Sequence, residues 1–444
     1  MNDIVLVTVD SLRADHVGWH GYDRPTTPNL NRLAEDATRF TNTFAHACST
    51  RPSFPSILTS SYALDYGGFE RLSPDRTTIS EALSRAGYTT GGFHSNLYLS
   101  ADFGYDRGFD RFYDSKTDPS PMARARQAVK THLNQDGAVY NLLQRVFNAT
   151  ERRAGIELGS AYVTADDMTD MALEWARETT DGPRFLWVHY MDVHHPYTPP
   201  EEYQLRFRDH PVDDDRAVQL RRKMLENPDE VTEVELDTIL DLYDAEIAFV
   251  DAEVDRLLRG LDDAWGSDKT VAFTADHGEE FLDHGRFSHA ATFYDEVLHV
   301  PLLLDDEEES GNVRDLVGLL DLGPTFVDIA GGRQPSAFQG QNLRDPDYDR
   351  EHVIAEWADY DKGDRRIAVR TFDWKYVRME DEERLFDLNA DPEEQTDVAA
   401  DHPERLEELR TVIDDHAERV RGDSLGADMD EEVRQRLRDL GYRE

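Results

Sequence analysis

The chain has 444 residues, of which 39% are hydrophobic and 10% aromatic, enough for one large domain with an appendage or for two domains. Its 92 acidic residues outnumber 48 basic ones, and the formal net charge is −44. Such a charge excludes nucleic acid as a general partner, because the phosphate backbone would be repelled. Acidic residues spread along the whole chain, with only six lysines, are typical of a protein kept soluble in a high-salt cytoplasm.

The sequence carries few signals of targeting. Cys48 is the only cysteine, so no disulfide can form within the chain and an oxidising compartment is not indicated. The first ten residues lack the basic region of a signal peptide and hold only a strand-length apolar run. No stretch approaches the ~20 apolar residues that span a bilayer. We expect a cytoplasmic protein with no transmembrane segment, and the oligomeric state stays open.

Short apolar runs alternate with stretches of helical periodicity along most of the chain. The predicted strands are 4–9, a short strand around Phe93, 185–191, 270–275 and 300–304. The predicted helices are 28–37, 77–85, 164–178, 235–258 and 319–329. This alternation predicts an α/β fold, with a mostly parallel central sheet flanked by helices on both faces.

Polar side chains follow the predicted strands at the point where each strand ends. They are Asp10, Asn96, His194, Asp276 and His277. In open α/β sheets, ligands bind at the edge formed by the carboxyl ends of the strands. The sequence therefore predicts a functional site at this edge.

Residues 47–60 place a hydroxyl, Thr50, at the start of a predicted helix, where Pro52 suits the first turn. The unpaired N–H groups of a helix N-terminus attract an anion, so this hydroxyl would face a bound phosphate or sulfate. Taken alone, Thr50 could equally be an N-cap residue.

Residues 115–160 form a predicted helical insertion that is locally basic. Between residues 121 and 153, six basic residues outnumber two acidic ones. The insertion could be a lid that gathers an anionic substrate, or equally a solvated helical face.

After a larger domain at 1–345, the pattern changes to a smaller α+β subdomain at 346–444. Short strands are predicted at 353–355, 367–370 and 374–378, and an acidic helix follows Pro403. This pattern favours a small antiparallel sheet packed on the larger domain.

Four of the singled-out residues offer oxygen and nitrogen ligands to one divalent cation: Asp10, Thr50, Asp276 and His277. A metal bound to the Thr50 oxygen would lower its pKa and make it a nucleophile. The same metal would neutralise charge that builds up on a substrate oxygen.

Nine segments, in the same order, resemble the sulfatase family of the alkaline phosphatase superfamily over nearly the full length. They are 7–16, 22–30, 189–197, 243–258, 275–279, 300–303, 321–325, 370–376 and 385–392. The resemblance implies an anionic ester substrate and one divalent metal ion, Ca²⁺ in the family, with Mn²⁺ or Zn²⁺ suited to Thr50 and His277. It places Asp10, Asp276 and His277 at metal-ligand positions and Thr50 at the nucleophile position.

The resemblance also suggests roles for residues around the metal site. It implies that His194 contacts the substrate or protonates the leaving group. His289 falls where many relatives have a substrate-binding lysine, and Asn96 lies near another substrate-binding position; His289 could instead be a surface or outer-shell histidine. Arg51 could point at the substrate anion or face solvent. His189, inside a predicted strand, is interpreted as a core residue.

The sequence departs from the family pattern at the nucleophile. Family sulfatases carry Cys or Ser followed by x-Pro-x-Arg, and convert that residue to formylglycine. Here the segment 50–54 reads Thr-Arg-Pro-Ser-Phe, threonine cannot undergo that conversion, and Phe54 replaces the arginine. Cys48 lies two positions before Thr50, so it does not occupy the nucleophile position. Ser11 replaces a second acidic residue, which weakens the case for calcium.

The first hypothesis is a metal-dependent hydrolase of sulfate or phosphate esters with Thr50 as the nucleophile. Phosphoesters are favoured, because the threonine resembles the nucleophile of superfamily members that act on phosphodiesters or transfer phospho-groups. Family membership alone would instead suggest sulfate esters. A third possibility is a transferase that passes a phospho-group to a sugar or lipid, prompted by the basic insertion. A fourth is a non-catalytic anion-binding relative, prompted by Phe54 and Ser11.

Overall fold

The computed structural model describes residues 2–114, 162–306, 310–360, 362–379 and 382–420. The predicted insertion at 115–160 and the end of the acidic tail lie outside the described residues. Among the described residues, no helix is both long and apolar enough to cross a bilayer.

A central sheet of eight strands forms the larger part of the molecule. Its strands are β1 (Asp3–Val9), β2 (Thr38–Phe44), β3 (Thr89–Phe93), β4 (Arg111–Tyr113), β5 (Arg184–Tyr190), β6 (Lys269–Ala275), β9 (Leu302–Asp305) and β10 (Gly311–Gly318). The two remaining strands of this region, β7 (Glu280–Phe281) and β8 (Phe287–Ser288), pair with each other as a separate ladder. The spatial order is β10-β2-β9-β6-β1-β5-β3-β4. β9 is antiparallel to both of its neighbours, and the other pairs are parallel, which confirms the predicted fold class.

The helices of this region cover both faces of the sheet. They are α1 (Pro28–Asp36), α2 (Thr50–Thr59), α3 (Ile79–Arg85), α4 (Ala165–Glu178), α5 (Glu201–Gln204), α6 (Asp214–Glu226), α7 (Glu233–Trp265), α8 (Asp295–Leu298) and α9 (Leu322–Ile329). Phe185 on β5 contacts Phe326 of α9, whereas the hydroxyl of Tyr190 on the same strand lies 2.7 Å from that of Thr169 on α4. Odd and even residues of one strand thus pack against different helices.

The C-terminal part is a four-stranded antiparallel sheet with one helix. It contains β11 (Val353–Asp359), β12 (Asp364–Arg370), β13 (Trp374–Met379), β14 (Glu382–Asp387) and α10 (Pro403–Ala417). A buried cluster joins the two sheets, with Phe44 and Phe293 on one side and Ala368 and Phe386 on the other. The small sheet is therefore a separate layer packed on the larger domain. The boundary at residue 345 stays a prediction.

Candidate active site

The residues predicted to bind a metal meet at the carboxyl edge of the central sheet. β1 and β6 are adjacent parallel strands that pair Val9 with Ala275, so Asp10 and Asp276 follow their strands side by side. His277 comes next, and all three of these polar side chains are fully buried. Parallel pairing thus brings together residues that are more than 260 positions apart.

Thr50 is the first residue of the ten-residue helix α2, and its hydroxyl faces this group. Its Oγ1 lies 3.0 Å from Oδ2 of Asp10 and 3.3 Å from Nε2 of His277. Thr50 is 1% exposed. The free N–H groups and partial positive charge at the start of α2 favour an anion beside this hydroxyl.

His277 presents a lone pair to the two carboxyl groups. Its Nδ1 lies 2.8 Å from the carbonyl oxygen of Gly278, so Nδ1–H donates there and Nε2 carries the lone pair. Nε2 lies 3.7 Å from Oδ1 of Asp10 and 3.6 Å from Oδ2 of Asp276. Burial, together with the nearby ring of His289, lowers the pKa of His277 to about 4 and keeps the imidazole neutral at pH 7.

The two carboxyl groups crowd each other in the same buried space. Burial and the adjacent charge of Asp10 raise the pKa of Asp276 to about 8. Burial also acts against ionisation of Asp10. The surrounding imidazoles outweigh this effect and hold the pKa of Asp10 well below its ordinary value, and His189 contributes most. A divalent cation between the two groups would favour the ionised form of both.

The atoms present suit one divalent cation. Oδ2 of Asp276 is buried and accepts no hydrogen bond from any residue that the structure describes. The measured separations among the ligand atoms of Asp10, Thr50, Asp276 and His277 run from 3.0 to 3.7 Å. Ligands bound to a single ion at ~2.0–2.6 Å lie no more than about 5 Å apart. These four side chains therefore form a possible ligand set, and they leave the identity of the metal open.

His189 belongs to the site, which corrects the interpretation that it is a core residue. It is fully buried in β5, yet its Nε2 has no hydrogen-bond partner among the described residues and lies 3.6 Å from Oδ2 of Asp10. Its Nδ1 lies 3.0 Å from the hydroxyl of Thr8. His189, Asp10 and Asp276 can place ligand atoms within 4.8 Å of one another. The available signal was its position, one residue before the carboxyl end of a strand.

His194 and His289 lie beside this group, and their pKa values are shifted in opposite directions. The His289 ring lies 4.6 Å from that of His277 and 5.4 Å from that of His194, centroid to centroid. Burial lowers the pKa of His194 to about 4, so this imidazole is neutral at pH 7. Burial acts the same way on His289, but the Glu279 carboxylate, 3.2 Å from its Nδ1, raises the pKa of His289 above the ordinary value. Of the two imidazoles, that of His289 therefore holds a proton more readily than that of His194.

Glu279 was not singled out by the sequence analysis, although it ends the segment 275–279. It is fully buried, and the hydroxyl of Tyr197 donates to its Oε2 over 3.3 Å. A buried carboxylate next to the histidines was not visible from sequence, because its partner His289 lies ten residues further along the chain. Its contact makes Glu279 the group that orients the His289 ring.

The two predicted substrate-binding residues lie on neighbouring segments. The side-chain amide nitrogen of Asn96 lies 3.4 Å from Oδ2 of Asp10, and its oxygen accepts a hydrogen bond from the backbone of Tyr98. The guanidinium of Arg51 lies over the ring of Tyr98, 5.0 Å from its centroid, and 5.8 Å from that of Phe103. The structure thus brings Asn96 to the metal-ligand group, and the contact of Arg51 with substrate stays a prediction.

Cys48 is a core side chain. It is 1% exposed and packs in the cluster between the two sheets, with Phe44, Phe293 and Phe386. Burial raises the pKa of the thiol to about 12, which suppresses the reactive thiolate. The environment of the Cys48 thiol is therefore that of a core side chain and not that of a catalytic cysteine.

This arrangement of a buried hydroxyl, paired carboxylates and imidazoles at the sheet edge places the protein in the class of hydrolases that act on ester bonds. Two family models match the chain. The model described as Sulfatase matches residues 2–332, and the model described as N-sulphoglucosamine sulphohydrolase, C-terminal, matches residues 283–422. The first match covers well over half of the chain, so the chain belongs to the sulfatase family.

Known proteins are similar along most of their length. Arylsulfatase K of Bos taurus is 24% identical, with 93% of this chain and 81% of that protein covered. An arylsulfatase of Clostridium perfringens is 25% identical, with 93% of each chain covered. The solved structure of the phosphonate monoester hydrolase of Agrobacterium radiobacter has a TM-score of 0.73 at 21% identity, and the match covers 94% of this chain and 96% of that one. That structural likeness shows the shared fold.

Proposed function

We propose that the chain is a metal-dependent hydrolase of phosphoesters in which Thr50 is the nucleophile. The observation that supports this most directly is the position of the Thr50 hydroxyl, 3.0 Å from Oδ2 of Asp10 and 3.3 Å from Nε2 of His277, at the N-terminus of a helix. In related sulfatases, this position carries the residue that is converted to formylglycine. Here it carries Thr50, which retains its hydroxyl group. An alcohol nucleophile suits transfer of a phosphoryl group.

Asp10, Asp276, His277 and Thr50 would hold the metal, and His189 would lie next to it. When bound, the ion supplies positive charge to the nucleophile oxygen and to the oxygens of the ester anion. The Gly278 carbonyl fixes the His277 tautomer, and the Ser11 hydroxyl donates to Oδ1 of Asp10 over 2.8 Å. These outer contacts hold the ligand side chains in one orientation before any substrate arrives.

The other residues bind the anion and move protons. The Thr50 oxygen attacks phosphorus in line with the departing alcohol, and its proton passes to the carboxylate of Asp276, whose pKa is raised by burial and by the charge of Asp10. The P–O bond to the alcohol breaks, and protonated His289 gives its proton to the departing oxygen. A water molecule then attacks phosphorus and gives a proton to the neutral imidazole of His194 or His289. The bond between phosphorus and the Thr50 oxygen breaks, and that oxygen takes its proton back from the carboxyl group that received it. Asn96 donates its amide N–H to the anion.

A sulfate ester is the second candidate substrate. It is favoured by the names of the relatives, since the bovine and clostridial proteins are both arylsulfatases. The same side chains would bind a sulfate, because sulfate and phosphate share tetrahedral shape and negative charge. The two candidates differ in the electrophile that Thr50 must attack.

The test is a substrate panel measured with the purified protein in Ca²⁺, Mn²⁺ and Zn²⁺. An aryl phosphate, an aryl phosphodiester and an aryl sulfate with the same leaving group are compared by kcat/KM. We expect the highest value for one of the two phosphoesters, and loss of that activity in Thr50→Ala. Turnover of the sulfate alone, unchanged in Thr50→Ala, would overturn both the substrate and the nucleophile.

A further inference from the structure

A cavity of about 540 Å³ lies between the segment that carries His289 and the C-terminal sheet. Its walls include His284, Arg286 and Tyr294 on one side and Arg366, Glu382 and Arg384 on the other. Ligand sites typically measure about 300–1,000 Å³. The cavity is therefore large enough for part of a substrate.

The described part of the cavity lining is rich in arginine. Among the described residues, the lining contains three arginines and one acidic residue, whereas the whole chain has 92 acidic residues to 48 basic ones. A protein of net charge −44 repels anions at a distance, so a cationic recess is the place where an anion is favoured. Arginine is also the side chain whose planar fork matches the oxygens of phosphate, sulfate and carboxylate.

Internal contacts hold two of the arginines in the wall. Nη1 of Arg384 donates to the hydroxyl of Tyr294 over 3.0 Å, and Arg384 also pairs with Glu382. The ring of Tyr294 is stacked on that of His284, with 3.4 Å between centroids. Arg366 pairs with the carboxylate of Asp364. These contacts fix the shape of the recess.

Arg286 differs from Arg366 and Arg384 in its contacts. It is exposed at the cavity, and its side chain forms no hydrogen bond or ion pair with any residue that the structure describes. None of the described residues occupies its guanidinium donors, which suit the oxygens of an anionic ligand. Within the described lining, Arg286 is the cation that an incoming anion would meet.

The cavity lies close to the catalytic histidine along the chain. Arg286 comes three residues before His289, and Thr292, another lining residue, comes three residues after it. Three residues of chain span at most about 11 Å. The ladder of β7 and β8 pairs Glu280 with Ser288 and fixes this loop. The backbone at Arg286 and at Thr292 therefore lies within about 11 Å of the backbone at His289.

We propose that this cavity is a subsite for a second oxyanion of the substrate, a phosphate, sulfate or carboxylate on the alcohol part of the ester. The proposal rests on the proposed function, because it places the scissile ester at Thr50 and His289. The enzyme would then prefer esters that carry two separated negative groups over esters with one.

Binding to the Thr50→Ala protein tests the subsite without turnover. Calorimetric titrations in the presence of the activating metal compare phenyl phosphate with 1,4-phenylene bisphosphate. We expect the bisphosphate to bind more tightly, and Arg286→Gln to reduce the ratio of the two affinities by roughly tenfold or more. The control is Arg365→Gln, which removes the same charge from an exposed side chain next to Arg366 on the other face of β12.

The outcomes separate this proposal from the proposed function. Equal affinity for the two probes, or an equal change in the ratio for Arg286→Gln and Arg365→Gln, would overturn the subsite. If the wild-type protein hydrolyses neither ester while the ratio still depends on Arg286, the proposed function fails and anion binding at the cavity stands. If the wild-type protein hydrolyses neither ester and the Thr50→Ala protein binds neither probe, both proposals fail.

Discussion

The ring of Phe54 meets the imidazole of His189 edge-on, with 4.8 Å between centroids. Phe54 lies one turn of α2 after Thr50, so the helix face that carries the hydroxyl also packs on β5. Phe54 is fully buried and contacts Trp187 as well. The position that the family pattern gives to an arginine thus holds an apolar ring, and that ring supports His189 beside Asp10.

This contact makes His189 the first residue to test. We expect His189→Gln to raise the metal concentration that gives half of the maximal activity by about 10- to 100-fold, because His189 contacts or supports the metal ligands. Titration of the chelator-treated protein with the activating metal measures this. The control is His210→Gln at an exposed position. An unchanged metal requirement in His189→Gln would indicate that His189 is a core residue with no role at the metal site.

Substitutions of Thr50 test whether its hydroxyl group is the nucleophile. We expect Thr50→Ala to lower kcat by roughly a thousandfold or more, because the attacking oxygen is lost. Thr50→Ser keeps that oxygen and should retain a large part of the activity. Circular dichroism and the thermal midpoint check that both variants fold, and Thr411→Ala, at an exposed position on α10, is the matched control. Equal activity in the alanine and serine variants would contradict a hydroxyl nucleophile.

The strands that the sequence revealed are those buried on both faces. β1 and β6 are continuous apolar runs, and each was predicted to within one residue. β2 reads Thr-Arg-Phe-Thr-Asn-Thr-Phe and is only partly buried, and β10, at the edge of the sheet, is largely exposed in its first half. Such strands lack a continuous apolar run, so neither was predicted. The antiparallel direction of β9 depends on long-range pairing that local patterns do not encode.

The residues of the site also differ in whether local sequence patterns could identify them. Asp10, Asp276 and His277 could be found because each follows an apolar strand, and Thr50 because it starts a helix. His189 could not be assigned in this way, because a buried polar residue within a strand is as compatible with a core position as with a ligand. Its role depends on how α2 packs on β5.

Cys48 should be dispensable for activity. Its thiol is buried between the sheets, and its pKa is raised to about 12 by burial. We expect Cys48→Ser to keep at least half of the wild-type kcat/KM and to lower the free energy of unfolding by about 1–3 kcal/mol, since it buries a hydroxyl in an apolar cluster. The native thiol should resist alkylation until the protein unfolds. Loss of activity with unchanged stability would assign Cys48 a catalytic role.

Lys375 should hold the two sheets together. It is fully buried, its Nζ lies 2.8 Å from Glu394, and it also pairs with Asp295. We expect Lys375→Met to lower the free energy of unfolding by about 3–5 kcal/mol, because the buried carboxylate of Glu394 loses its cation and Asp295 keeps only Arg370. Lys362→Met, at an exposed ion pair, should change it by less than about 1 kcal/mol. Equal effects of the two substitutions on denaturant unfolding would contradict the role of Lys375.

The same network predicts the direction of a pH effect. Burial acts against ionisation of Asp295, but Lys375 and Arg370 hold the pKa of Asp295 well below its ordinary value. A carboxyl group with a lowered folded-state pKa stabilises the protein above its ordinary pKa of about 4 and loses that contribution as the pH falls further. The free energy of unfolding should therefore fall below about pH 4, and fall less in Lys375→Met. An identical acid dependence in both proteins would count against this ion pair.

The net charge of −44 leads to a prediction about salt, and we propose on the same ground that the protein works in a high-salt cytoplasm. Self-repulsion of the acidic surface opposes the compact state, and salt screens it. The Debye length shortens from about 10 Å at 0.1 M to about 3 Å at 1 M, so screening is nearly complete by about 1 M. We expect the thermal midpoint to rise steeply with KCl up to that concentration and more slowly beyond it. A midpoint that stays constant across this range would show that surface repulsion does not limit stability, and the proposal of a high-salt environment would lose its support.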